Sequence, residues 1–258
     1  MKHFLYPALA GQQLGVHLVG AGGNGSQMLT GLARIHVALQ AVGHPGLKVE
    51  VYDPDTITDA NVGRQLFSPS DVGQFKAAVL IHSINCYYGL DWKANTSMAT
   101  FNSHVDIVIG CVDSVASRRK IHQSGSFHYW LDVGNLARTG QVILGAQLRK
   151  DNKFDETRPK TFFEFFPELN RGKIKENNEP SCSLAEALEK QDLFINQTVV
   201  TFGLQLLWTF LRNGCLTQNG YFINLESGRV VPIPLARQNL LTPLVDIFAN
   251  ETKKKAKR

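Results

Sequence analysis

Gly20-Ala21-Gly22-Gly23-Asn24-Gly25 follows a short apolar run, and Asp53 closes the next such run. Glycines at this spacing let a chain turn sharply and bring backbone N–H groups against phosphate oxygens at the positive start of a helix. A carboxylate at the end of the second run is placed to accept bonds from both hydroxyls of a ribose, while Asp55 is open to capping the turn that follows. Asn61, Arg64, Gln65 and Lys76 then add amides and two cations, and Asp113, after a third apolar run, offers the hard oxygen that Mg2+ favours. The glycine turn alone serves a nicotinamide dinucleotide equally well. The cations and the metal-type carboxylate point instead to charge moving onto pyrophosphate, which needs compensation by fixed positive groups.

Elements must carry these residues. Val16 to Val19 reads as a strand, Gly25 to Leu39 has helical periodicity, and Lys48 to Tyr52 reads as a second strand after the turn at Gly43 to Gly46. A strand, a glycine turn, a helix and a strand make a right-handed βαβ unit. Phe75 to Cys86 and Val115 to Gln123 read as helices, and Val105 to Gly110, Tyr129 to Val133 and Gln141 to Leu148 as strands. The expected architecture is α/β: a Rossmann-like, mostly parallel sheet with helices on both faces. Ligand groups then gather beyond the carboxyl ends of the strands, where Asp53 and Asp113 lie. Residues 149 to 182, with FFEFFPEL inside them, show no long period and read as a crossover loop. Ser183 to Lys190 and Asp192 to Phe210 read as helices. Gly220 to Ile233 reads as an antiparallel extension turning at Glu226-Ser227-Gly228.

The 258 residues, 43% of them hydrophobic, suffice for one core, so residues 1 to 258 are expected to form a single domain. The formal charge of +5 resides in Lys253, Lys254, Lys255, Lys257 and Arg258, and the rest of the chain is electrically balanced. That leaves no basic face on the body for nucleic acid; residues 252 to 258 read as a solvated, disordered tail with at most weak polyanion contact. Met1 to Gln13 has no signal-peptide pattern, and Val199 to Leu211 is too short and polar for a membrane span. With four cysteines and no CxxC, a reduced, cytoplasmic protein without structural zinc is expected. Cys182, in Pro180-Ser181-Cys182-Ser183 ahead of a helix start, is the cysteine best placed to become a thiolate, against an ordinary half-buried alternative. Cys111, at a strand end, reads as packing.

The order of these motifs resembles the ThiF, MoeB and ubiquitin-activating enzyme superfamily, and more specifically ThiF-like proteins of plasmid-associated PRTRC systems. The likeness rests on GAGGNG at Gly20 to Gly25, on Asp53, on Asn61-x-x-Arg64-Gln65, and on Asp71-x-Gly73-x-x-Lys76. It continues through Cys111-Val112-Asp113-Ser114 with Arg118, Leu131 to Gly134 and Thr139 to Val142, over most of residues 15 to 148. It implies an enzyme that binds MgATP and adenylates the C-terminal glycine carboxylate of a small ubiquitin-like protein, releasing pyrophosphate and working as a homodimer. Asp53 would hold the ribose, Arg64 and Lys76 the phosphates, Asn61 would position them, and Asp113 would organise Mg2+. The sequence departs from the family pattern in two ways: no Arg precedes Arg34, and the paired CxxC zinc site of several relatives is absent. Two other functions fit part of the pattern: a NAD-dependent oxidoreductase, and a non-catalytic nucleotide-binding adaptor.

Overall fold

Leu14, Val16 and Leu18 alternate with Gly15 and His17, and the first set enters one apolar core while Val19 enters another on the opposite side. This alternation makes the strand the middle of a two-faced sheet. The computed structural model describes residues 1–101, 103–149, 155–171 and 184–235. Cys182 and the tail from Lys253 lie outside that set.

In chain order the elements are β1 (His3–Phe4), β2 (Leu14–Val19), α1 (Gly23–Ala41), β3 (Leu47–Tyr52), α2 (Lys76–Tyr88), β4 (Lys93–Asn95), β5 (Val105–Gly110), α3 (Val115–Ser124), β6 (Phe127–Asn135) and β7 (Thr139–Ala146). There follow α4 (Phe162–Phe165), α5 (Pro167–Arg171), α6 (Leu184–Lys190), α7 (Ile195–Asn213), β8 (Cys215–Leu216), β9 (Gln218–Asn224) and β10 (Arg229–Pro234). Eight strands form one sheet in the order β10-β9-β7-β6-β5-β2-β3-β4. Pairing is parallel from β4 to β6 and antiparallel from β6 to β10, so the Rossmann-like sheet and its antiparallel C-terminal side are as expected. The chain leaves β2 towards β3 and later returns to its other side as β5. The crevice between β2 and β5 is therefore the switch point at which such sheets bind ligands.

Helices α1, α2 and α7 cover one face and α3, α4 and α5 the other. α7 carries its apolar stripe of Ile195, Val199, Val200, Leu206, Leu207 and Phe210 against α1 and the strands β6 and β7, completing this chain's own core. No helix among the described residues is long and apolar enough to cross a membrane.

FFEFFPEL, read from sequence as loop, folds instead into α4 and α5. Thr161 and Glu164 form a reciprocal capping box, with the Thr161 N–H donating to Glu164 Oε2 (2.9 Å). Phe162, Phe163 and Phe165 are buried in the cluster that contains Trp130 and Phe222. Burial of three phenyl rings, roughly 1.5–3 kcal/mol each, outweighs the low helical periodicity of so short a stretch.

Three imidazoles are packed into this frame. Burial lowers His3, His17 and His122 below the ordinary imidazole value, with nearby carboxylates only partly offsetting it. Below about pH 6.5 the unfolded chain therefore takes up protons that the folded chain refuses, so stability falls as pH drops through that value towards the lowered ones. Melting temperature is expected to fall between pH 7.5 and pH 5.5, and His17→Gln to flatten that slope. An unchanged slope in the variant contradicts the assignment.

Candidate functional site

The glycine loop is shaped by what it cannot carry. Gly20 has a φ of +94°, and a Cβ there would stand 2.6 Å from the carbonyl oxygen of Cys111, just past β5. A Cβ at Gly25 would overlap the Gly20 carbonyl oxygen, and one at Gly23 would lie 2.8 Å from the Asn196 amide. Gly22 meets nothing within 4 Å and is the N-cap of α1. No side chain caps that helix and its first turn holds no acidic residue, so its positive end opens into the crevice with N–H groups available to an anion. Ser26, one turn in, accepts from the Leu66 N–H through Oγ (3.4 Å) and ties α1 to the loop that carries Arg64.

Asp53 leaves β3 beside this loop. One carboxylate oxygen accepts from the Ala21 N–H (2.6 Å) and the other from the Asp55 N–H (2.8 Å). Burial raises its pKa, opposed by those two backbone bonds and by the Lys76 charge. Each oxygen keeps a second lone pair, so the group can still accept from ribose hydroxyls. Asp55 does not cap the turn through its side chain; it pairs with Lys76 Nζ at 2.9 Å. Lys76 opens α2 and is itself buried, whereas Asp55 is largely exposed.

Asn61 closes the short 3-10 turn Asp59–Asn61, its Oδ1 accepting from the Thr58 N–H (3.0 Å). Its amide NH2 carries no bond and is free to donate to a ligand. Arg64 donates from Nη1 to Gln191 Oε1 (2.6 Å), while its Nε is buried without a partner. Burial also lowers the Arg64 pKa. The Oε1 of Gln65 is buried without a partner as well. The surrounding chain encloses Nε, whereas Nη2 carries no hydrogen bond and is not buried, so Nη2 is the donor this guanidinium leaves open to an oxyanion.

Asp113 stands exposed beyond β5, immediately before Ser114, whose Oγ accepts from the Ser117 N–H (3.1 Å) to cap α3. Among the described residues no group of three His, Cys, Asp or Glu side chains comes together to hold a metal. A single carboxylate suits Mg2+, which takes most of its ligands from water and phosphate.

Two features were missing from the sequence reading. The Asn24 side chain turns inward, donating to Asn135 Oδ1 (2.9 Å) and accepting from Asn196 Nδ2 (2.9 Å), and Asn196 also donates to Asn135 Oδ1 (3.1 Å). This three-amide ring fixes the start of α1 to the ends of β6 and α7, and leaves the Asn24 backbone as its contribution to the crevice. The second feature is Gln191. Asn24 belongs to the glycine motif, but neither Asn196 nor Gln191 lies in one, and nothing in local spacing marks those two.

Arg118 is structural. Its Nε donates to Asp132 Oδ1 (2.8 Å), both groups are buried, and its guanidinium lies 5.4 Å from the centre of the Phe162 ring. Burial pushes the Asp132 carboxyl up and Arg118 pulls it back. Cys111 is partly buried against the main core and its thiol is pushed up by burial, consistent with packing and not with nucleophilic attack.

A ThiF family model matches residues 11–222. The chain belongs to the ThiF family. Among solved structures, the fold of this ThiF-family chain is similar to that of selenomethionine PaaA (14% identity, TM-score 0.56, covering 87% of this chain and 65% of that one). It is also similar to Escherichia coli MccB solved with ATP (14% identity, TM-score 0.52, covering 90% and 66%) and to MccB with selenomethionine MccA (14% identity, TM-score 0.55, covering 89% and 66%). The chain thus spans just under two thirds of the length of these neighbours. The comparison with curated proteins gave no match.

Breaking a buried ion pair from one side leaves an uncompensated charge, at a cost of about 3–5 kcal/mol. Asp132→Ala is expected to lower the unfolding free energy by that amount in urea titration, and Arg118→Met with Asp132→Leu to recover most of it. A loss under about 1 kcal/mol for Asp132→Ala contradicts the pairing.

Proposed function

We propose that this ThiF-family chain is an ATP-dependent, E1-like adenylyltransferase that activates the C-terminal glycine carboxylate of a small ubiquitin-like protein and releases pyrophosphate. This reading is supported by an α1 start that follows the glycine loop with no side-chain cap and no acidic residue in its first turn, and by two cations, Lys76 and Arg64, held only by an exposed carboxylate and a neutral amide. A dinucleotide oxidoreductase would need the glycine loop and Asp53 but has no use for Lys76, Arg64 and Asp113 together. Support also comes from the neighbours: MccB was solved with ATP, and separately with MccA.

In this reading Asp53 holds the ribose and the N–H groups of Gly22 to Gly25 receive the phosphates. Lys76 exchanges Asp55, whose carboxylate is largely exposed and is rehydrated on release, for a phosphate oxygen, so the buried ammonium stays paired throughout. Arg64 presents its Nη2 to another, and the Asn61 amide sets their orientation. Asp113 would hold Mg2+, which supplies further positive charge to the phosphates. The substrate carboxylate is already ionised at neutral pH, so attack on the α-phosphorus needs no general base. A carboxylate-oxygen to phosphorus bond forms as the bond to the β-phosphate's bridging oxygen breaks, and Arg64 and Lys76 neutralise the charge arriving on pyrophosphate. The same reading makes the enzyme a cytoplasmic homodimer of a plasmid-associated PRTRC system, with Cys182 available for a later thioester.

Purified protein, MgATP and a small ubiquitin-like protein ending in glycine are expected to yield AMP addition by intact mass and stoichiometric pyrophosphate. Asp113→Ala and Lys76→Met are each expected to lower turnover at least about 100-fold, as loss of one preorganised charge-stabilising group does, with melting temperature little changed for Asp113→Ala. Native turnover in Asp113→Ala contradicts its role; ATP binding without any acyl-adenylate for a panel of such proteins favours an adaptor.

A further inference from the structure

Gln191 follows α6 directly, and its Oε1 accepts from Arg64 Nη1. Its surroundings are fixed on both sides. The next residue donates its backbone N–H to Ala137 O (2.9 Å), and Asp192 Oδ1 accepts from the Phe194 N–H (3.2 Å), so the α6–α7 junction is pinned to the turn between β6 and β7. α6 itself packs on the Asp59–Asn61 turn that precedes Arg64. The side-chain amide therefore approaches Arg64 from a rigid platform, and the 2.6 Å bond to Nη1 is short for a neutral acceptor.

A guanidinium offers two bidentate edges: the end formed by Nη1 and Nη2, and the side formed by Nε and Nη2. Gln191 occupies Nη1 and the surrounding chain encloses Nε, so Nη2 is the nitrogen left open to a ligand. We propose that Gln191 is a positioning residue for the triphosphate. By holding Nη1, it turns the open Nη2 of Arg64 towards the phosphates and so makes the return from the crossover segment part of the nucleotide-binding wall. This deepens the adenylation reading and rests on its placement of the nucleotide.

The residue type matters as much as the contact. A glutamine carbonyl orients the guanidinium without neutralising it, so the full charge stays available to an oxyanion. A glutamate of nearly the same shape would bind Arg64 as an ion pair and would itself repel a triphosphate. A methionine would keep the packing and remove the acceptor.

The test is equilibrium binding of ATP with Mg2+ to the full chain, with no acyl acceptor present, so that it reads this inference separately from turnover. Gln191→Met is expected to weaken binding about tenfold, the loss typical of one hydrogen bond to a charged group. In an Arg64→Ala background the same substitution is expected to change affinity less than about twofold, because the group it positions is gone. Gln191→Glu is expected to weaken binding more than Gln191→Met does, despite closer similarity in shape, with a steeper dependence on salt. Circular dichroism and melting temperature establish that each variant is folded, and Gln191→Asn serves where Gln191→Met is not. Independent, multiplying effects of positions 64 and 191, or native affinity in Gln191→Glu, overturn the proposal. Coupling between the two positions in a protein that never forms an acyl-adenylate would uphold the positioning role and sink the adenylation reading. Failure of the native protein to bind ATP at all sinks both.

Discussion

The loop between β2 and α1 can close only because positions 20 and 25 carry no side chain. The Gly20 carbonyl occupies the space a methyl at position 25 would need, and Gly20 itself lies against the backbone that leaves β5. This backbone-on-backbone contact at the switch point sets where α1 begins and therefore where its uncapped N–H groups point. It also fixes what can sit behind them. Ser26 reaches the Leu66 N–H, and Asn24 joins Asn135 and Asn196, so one tight turn registers the helix against three otherwise separate segments. Oriented amides that need no rearrangement when charge arrives are what phosphoryl chemistry draws on.

Charges in this molecule divide by how firmly they are held. Arg118 and Asp132 are buried together and answer to each other; they support the strand β6 from below and have no freedom to act on a ligand. Lys76 and Arg64 hold weaker partners, an exposed carboxylate and a neutral amide. An incoming polyanion competes easily with either, whereas it could not displace a buried carboxylate. Cations held by such exchangeable partners suit a substrate that arrives, reacts and leaves.

The parts legible in the sequence were those with a local physical signature. The alternation in Leu14 to Val19, the glycines after it and the aspartates ending β3 and following β5 all announce a switch-point crevice, because a backbone turn or a strand end demands those residue types. FFEFFPEL hid its helices: a stretch of four or five residues shows no periodicity, and the informative signal was the Thr161–Glu164 spacing of a capping box. β4, with the sequence Lys-Ala-Asn, is an exposed three-residue edge with no alternation to read. Gln191 and Asn196 were invisible for another reason. Each meets its partner across more than a hundred residues of chain, and a lone amide in a polar linker or helix start looks like any other until the fold closes.

The most direct measurement is a crystal structure of the chain with a nonhydrolysable ATP analogue and Mg2+. The account requires the triphosphate over the start of α1, with Arg64 Nη2 and Lys76 Nζ within hydrogen-bond distance of phosphate oxygens and the ribose on Asp53. A nucleotide seated elsewhere, or one in the crevice whose phosphates touch neither cation, would contradict it.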